Sequence, residues 1–234
     1  MKTKLITALD FSDSRQALEM VKTIGDAGTY YKVGLELFIA EGHKILPALK
    51  DMGKNVFLDL KIHDIPNTAA KAIVSCLSYG ADMVNLHTQG GLEMMARTRE
   101  LLAEECDKRN VQKPLLIGVT LLTSLDDEHL TRYKIGSGSL DYVLHLASLA
   151  KEAGLDGVVS SARETEAIKS RLGKEFLTVT PGIRLPENEV GDQKRVVTPQ
   201  DAAKLGSDYI VVGRPITSAK DPRMVVERIN GDLI

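Results

Sequence analysis

The stretch KLITALDFSDSRQALEMVKTIGDAGTYYKVGLEL, residues 4–37, holds one complete structural unit. KLITALDF (4–11) is a short, β-rich apolar run. DFSDSRQA then reads as a polar turn in which Ser12 or Asp13 can cap a helix, and Ala17, Leu18, Val21 and Ile24 recur at helical spacing. Gly28 closes the helical segment, and YYKVGLEL (30–37) opens the next strand. Outward from this unit the pattern repeats: NVFLDLK at 55–61, DMVNLHT at 82–88, LLIGVTLLT at 115–123, DGVVSSA at 156–162, LTVTPGI at 177–183 and YIVVGRPI at 209–216. Helical patterns such as Ala69, Ile73, Val74 and Leu77 lie between, and most end at a glycine: Gly53, Gly80, Gly154 or Gly206.

Strict alternation of strand and helix predicts βαβ units and a parallel sheet, because parallel neighbours need a crossover. Eight units suit a closed (β/α)₈ barrel of the TIM class better than an open doubly wound sheet, although alternation alone is compatible with both. No G-x-G-x-x-G follows the first strand, which removes the simplest dinucleotide-binding reading. No residue-level internal repeat shows beyond the alternation itself. The expectation is an α/β chain folded as a single eight-stranded parallel TIM barrel, one catalytic domain over residues 1–234. At about 29 residues per unit, close to the ~30 of a bare βαβ repeat, no length is left for a second domain.

Composition narrows the function classes. Thirty basic and thirty-two acidic side chains leave a net charge of −2, which calls for neither nucleic acid nor an anionic membrane as partner. There is no tryptophan, and ten Phe and Tyr in all argue against a base-stacking surface. No apolar run approaches the ~18–20 residues of a membrane span, and MKTKLITALDF carries no signal-peptide pattern, so a cytoplasmic protein is expected. Cys76 and Cys106 lie far apart on helical segments without a C-x-x-C, the pattern of reduced, buried thiols. The five histidines show no ligand spacing such as H-E-x-x-H.

FLDLKIHDIPNT, residues 57–68, carries the chemistry. Side chains alternate across a strand, so Asp59 and Lys61 share one face and Leu58, Leu60 and Ile62 the other. In a barrel the charged pair points into the mouth. Charge on a buried face is costly unless paired, which makes the two residues either a mutual ion pair or a functional site. Asp10 at the end of the first strand and Lys32 within the second put further charges at the same end. Lysines and aspartates alternating in one pocket keep each other ionised, and an ammonium held this way donates a proton but is a poor Schiff-base nucleophile.

The last two strands end in TPGIR (180–184) and VVGRPIT (211–217), where this barrel class often binds phosphate. Glycine lets backbone N–H groups approach a phosphate, and arginine supplies a planar fork of donors. Arg184, Gly213 and Arg214 therefore predict a phosphorylated ligand, which Gln193 can reach from the following loop. Two long polar connections, SLDDEHLTRYKIGSGS (124–139) and RLPENEVGDQKRVVTPQ (184–200), follow strands five and seven, where barrel loops act as lids and ligand grips.

The segment D59-L-K61-I-H-D64, followed by I65-P66-N67-T68, resembles the signature of the orotidine 5′-phosphate decarboxylase family, enzymes that make UMP at the end of pyrimidine synthesis. The resemblance runs along the whole chain through ALDF, YKVGLELF, VNLHTQGG, VTLLTS, TPGIR and VVGRPIT, and is to the bacterial branch. It implies a charged tetrad of Lys32, Asp59, Lys61 and Asp64, with Asp64 supplied across a homodimer interface together with Ile65 and Thr68. Asp10 and Lys32 would hold ribose hydroxyls, and Thr123 or Ser124 would lie by the pyrimidine. Arg184, Gln193, Gly213 and Arg214 would gather at the phosphate, while His87 stays a site-wall or core histidine. By the same resemblance the chemistry uses no metal and no cofactor, with Lys61 protonating C6. Two rivals share the scaffold: Mg²⁺-dependent sugar-phosphate decarboxylases and aldolases, which carry an acidic residue in place of Lys32, and a non-catalytic binder of phosphoribosyl ligands.

Overall fold

Eight parallel strands close into a barrel in chain order, β1 (Lys4–Ala8), β2 (Tyr30–Val33), β3 (Asn55–Ile62), β4 (Met83–His87), β5 (Leu115–Val119), β6 (Gly157–Val159), β7 (Leu177–Thr180) and β8 (Tyr209–Val212), with β8 pairing back onto β1. The computed structural model describes residues 2–185 and 197–233. Helices pack around the strands, so the (β/α)₈ expectation holds. Period-two alternation divides the core into two layers. Ile6, Ala8, Tyr30, Phe57, Met83, Ile117, Val179, Tyr209 and Val211 fill the barrel interior. Val33, Val56, Leu58, Val84, Leu86, Leu116, Val158, Ile210 and Val212 face the helices.

All eight apolar runs contain a strand, and seven of them run past its C-terminal end; the exception is NVFLDLK (55–61), whose strand extends to Ile62. Leu35 to Leu37 open the helix Leu35–Glu41, and Arg214 to Ile216 belong to the short helix Arg214–Thr217. Gly34 and Gly213 turn the chain out of the barrel at these points. The first helix, Ser14–Ile24, is capped by Asp13, whose carboxylate accepts the Gln16 N–H at 2.9 Å. It closes at Gly25 (φ +64°) rather than at Gly28, because the left-handed turn that glycine tolerates comes three residues earlier. The connection after β5 contains a helix, Asp127–Arg132, started by a capping box between Asp126 and His129. Residues 186–196 of the second long connection, Gln193 among them, lie outside the described residues.

A residue-level repeat does exist, at the N-terminal end of the barrel. G-x-D precedes β4 (80–82), β6 (154–156) and β8 (206–208). Each aspartate accepts a backbone N–H of the preceding strand: Asp82 from Val56 at 2.7 Å, Asp156 from Leu116 at 2.8 Å and Asp208 from Thr178 at 2.7 Å. Its own carbonyl accepts the N–H that opens the following strand, from Leu115, Leu177 and Lys4 in turn. Lys50, Lys113 and Lys169 pair with the three carboxylates. Each aspartate thus ties three strands together at the end opposite the pocket described below, where the barrel class keeps its stabilising features.

Candidate active site

The inward positions of β2 and β3 change from apolar to charged at the C-terminal end of the barrel. Tyr30 is followed two residues later by Lys32, and Phe57 by Asp59; both charged residues are buried. Lys32 Nζ lies 2.8 Å from Asp10 Oδ1 and 3.6 Å from Asp59 Oδ2, and Lys61 Nζ lies 2.7 Å from Asp59 Oδ1. Asp10, Lys32, Asp59 and Lys61 therefore form one chain of alternating charge. Burial works to raise the Asp59 carboxyl, but the ammoniums of Lys32 and Lys61 and hydrogen bonds from Lys61 and Asn85 outweigh it and hold the group below its usual value of 3.8.

Simple alternation does not account for Lys61. The β3–β4 register shifts between Leu58 and Ile62, and Lys61 adopts φ +52°, a left-handed conformation unusual for a residue with a side chain. Such a residue costs about 1–3 kcal/mol and persists where its surroundings enforce it. Here the enforcing group is Asn85 of β4: the Lys61 N–H donates to Asn85 Oδ1 at 2.8 Å, and Asn85 Nδ2 donates to Asp59 Oδ1 at 2.7 Å.

The charged residues open onto a cavity of about 290 Å³ lined by Lys32, Phe57, Asp59, Lys61, Leu121 and Thr123, with Pro181 and Val211 on the β7–β8 side. That volume is at the lower edge of small-molecule sites, ~300–1,000 Å³. Thr123 and Ser124 both line it. Arg184 and Arg214 follow β7 and β8; Arg184 Nη1 donates to the Ile183 carbonyl at 2.9 Å, and Arg214 is exposed at the start of its helix. Among the described residues a Cβ at Gly213 would meet only Ala8 and Asp10, both at an ordinary 3.5 Å, so these residues leave room for a side chain there.

His87 is half-buried, its Nδ1 without a hydrogen-bond partner among the described residues and its ring 5.5 Å from that of His63. Burial, His63 and Lys61 push it below the ordinary 6.5, with Asp59 opposing, so it is neutral at pH 7. Asp64 does not reach this cluster within one chain. It is exposed, as are Ile65 and Thr68, and its carboxylate accepts the N–H of Ile65 at 2.7 Å.

Two site residues escaped the sequence reading. Asn85 stood unremarked in DMVNLHT, since nothing in a lone asparagine marks it as a bridge. Gly34 is the other: a Cβ there would come within 2.7 Å of Lys32 Nζ and 3.2 Å of Asp10 Oδ1. The K-x-G spacing after a strand was its only signal.

A family model described as orotidine 5′-phosphate decarboxylase / HUMPS family matches residues 3–229. The chain belongs to this family. Two relatives named orotidine 5′-phosphate decarboxylase, from Carboxydothermus hydrogenoformans and Pseudoalteromonas atlantica, are each 49% identical. The first alignment spans 230 residues, 97% of this chain and 95% of the relative; the second spans 227, or 97% and 96%. The crystal structure of orotidine 5′-phosphate decarboxylase from Lactobacillus acidophilus superposes with a TM-score of 0.86 at 35% identity, covering 99% of each chain. The decarboxylase family resemblance read from the separated motifs is thereby borne out along nearly the whole chain.

Proposed function

We propose that this chain is a carboxy-lyase that converts orotidine 5′-monophosphate to uridine 5′-monophosphate, with Lys61 as the proton donor. One observation carries the residue assignment: a single buried carboxylate, Asp59, held between the ammoniums of Lys32 and Lys61 at the wall of the cavity. The bond from C6 to the carboxylate breaks heterolytically, CO₂ leaves, and the electron pair stays on C6 in the plane of the ring. That orbital is orthogonal to the ring π-system, so the pair cannot delocalise and a fixed positive charge must stabilise it. Lys61 supplies that charge and then its proton to C6, and solvent reprotonates the amine. Asp59, kept ionised, faces the substrate carboxylate and loses that repulsion as CO₂ departs.

The remaining assignments follow the barrel. Asp10 and Lys32 hold ribose hydroxyls, and Thr123 borders the pyrimidine. Arg184, Gln193, Gly213 and Arg214 hold the phosphate, whose binding energy is used far from the reacting carbon to close loops and exclude water. The space beside Gly213 fits the close approach of a phosphate to backbone N–H groups. Lys32 disfavours the Mg²⁺-dependent sugar-phosphate reading, since an ammonium between Asp10 and Asp59 repels a divalent cation.

A homodimer with shared sites, working in the cytoplasm as one catalytic domain per chain, completes the proposal. Asp64, Ile65 and Thr68 are exposed at the mouth, and Leu35, Ile39, Ile65 and Leu92 are large apolar residues exposed after β2, β3 and β4, three neighbouring strands. A second copy seated there buries them and brings its Asp64 to Lys61. Two free, buried cysteines fit a reducing compartment.

Lys61→Ala tests the acid assignment: turnover is expected to fall at least about 10⁴-fold, the combined scale of a lost general acid and a lost charge stabiliser. Near wild-type turnover would sink the assignment. Mixing inactive Lys61→Ala and Asp64→Ala chains is expected to restore partial activity, because one of the two sites in a mixed dimer is then intact. No recovery after confirmed chain exchange counts against Asp64 acting in trans.

A further inference from the structure

We infer that Asn85 is a positioning residue for Lys61, an inference that rests on the reading of Lys61 as the proton donor. Its amide is buried on the inward face of β4, and both ends are used. Oδ1 accepts the Lys61 backbone N–H at 2.8 Å, and Nδ2 donates to Asp59 Oδ1 at 2.7 Å. The same Asp59 oxygen accepts the Lys61 ammonium at 2.7 Å. The result is a closed ring that grips one lysine at its main chain and at its side-chain tip.

The ring sits where the β3–β4 register shifts, between Leu58 and Ile62, and where Lys61 turns to φ +52°. Asn85 supplies the acceptor that β4 offers from its side chain instead of its backbone. An apolar residue in its place leaves that N–H unpaired and frees the Asp59 carboxylate to rotate. An ionised aspartate keeps the acceptor but has no proton to donate, and it sets a second negative charge against Asp59. Of the amino acids close to asparagine in size, only a protonated aspartic acid reproduces both contacts.

The test uses full-length Asn85→Ala and Asn85→Asp, with Lys61→Ala as reference, assayed for orotidylate decarboxylation from pH 5.5 to 8.5. Calorimetric binding of UMP is measured in parallel. For Asn85→Ala, kcat is expected to fall about 100-fold, the scale of a catalytic group displaced by ~1 Å, with UMP affinity changed by less than about threefold. For Asn85→Asp, burial beside Asp59 raises the new carboxyl into the assay range, and its protonated form rebuilds the ring. Activity relative to wild type is therefore expected to climb about tenfold or more as the pH is lowered. The surrounding titratable groups, Lys32 on β2, Asp59 and Lys61 on β3, His63 after β3 and His87 on β4, are common to both proteins, so the ratio isolates the pH dependence that the new carboxyl adds, directly and through its coupling to them. A merely structural role lowers the ratio equally at every pH.

A kcat within about threefold of wild type in Asn85→Ala, while Lys61→Ala is inactive, would overturn the inference. So would a flat ratio in Asn85→Asp, which decides the matter alone if Asn85→Ala does not fold. Full turnover by Lys61→Ala overturns instead the proton-donor reading beneath it.

Discussion

Truncating Asp59 to alanine is expected to cost stability as well as activity, by an amount the geometry sets. The carboxylate meets Lys61 Nζ and Asn85 Nδ2 at 2.7 Å each and Lys32 Nζ at 3.6 Å. Without it, among the described residues, Lys32, whose side chain is 11% exposed, keeps only Asp10 at 2.8 Å, and the 30%-exposed Lys61 ammonium loses its partner. Breaking a buried pair from one side costs about 3–5 kcal/mol. Because Lys32 retains one partner and Lys61 reaches water, the lower end applies, about 3 kcal/mol. For a chain of this size each kcal/mol moves the melting midpoint by about 2–4 °C, so Tm should fall by about 6–12 °C in scanning calorimetry with a reversibility check. Asp59→Asn retains the volume and serves for the pH dependence. The folded value of Asp59 lies below 3.8, so its stabilisation is complete above that value and is lost as the pH falls through the folded one. The stability gap between wild type and Asp59→Asn should thus stay constant from pH 8 to 5 and close below about pH 4. A Tm for Asp59→Ala within about 2 °C of wild type would refute the idea that this carboxylate holds the two lysines.

Three further outcomes follow from other parts of the structure. Asp208→Ala removes the acceptor of Thr178 N–H and the partner of Lys169, so urea unfolding should show a loss of about 2–4 kcal/mol while the folded variant turns over normally; an equal loss of kcat would contradict the separation of the two barrel ends. Gly34→Ala presses a methyl group onto Lys32 Nζ, and kcat/KM should fall by about 10- to 100-fold with little change in Tm; unchanged kinetics would show that Lys32 yields freely. His87 should titrate below 6.5 in an NMR pH series, and because its folded value is depressed, stability should decline as the pH drops through the unfolded value towards the folded one; a midpoint at or above 6.5 would contradict its burial against Lys61 and His63.

Much of this was legible in the chain because charge on an apolar, inward-facing position is conspicuous. Asp10, Lys32, Asp59 and Lys61 stood out for that reason, and the structure joins all four. Strand existence was equally plain, but strand ends were not: Leu35 to Leu37 extend an apolar run, and only the turn at Gly34 sends them into a helix. The G-x-D repeat is visible in the chain, but each glycine reads as a helix stop, and Asp82 and Asp156 read as the first residues of the runs DMVNLHT and DGVVSSA. Its meaning depends on a carboxylate reaching the neighbouring strand, which sequence spacing does not express. Asn85 was illegible for a related reason: its role arises from a register shift in β3 that leaves no mark in NVFLDLKI. Asp64 is legible only by resemblance, because within one chain its carboxylate contacts nothing beyond the next N–H among the described residues.

The most direct measurement mixes orotidine 5′-monophosphate with the EDTA-treated, full-length protein and follows the ultraviolet absorbance of the pyrimidine. Conversion to UMP at a rate unaffected by the chelator, and abolished in Lys61→Ala, is expected. Persistence of the orotidylate spectrum with active-site occupancy confirmed by calorimetry, or turnover restored only by added Mg²⁺, would contradict a lysine–aspartate site that breaks the C6–carboxylate bond with its own charges.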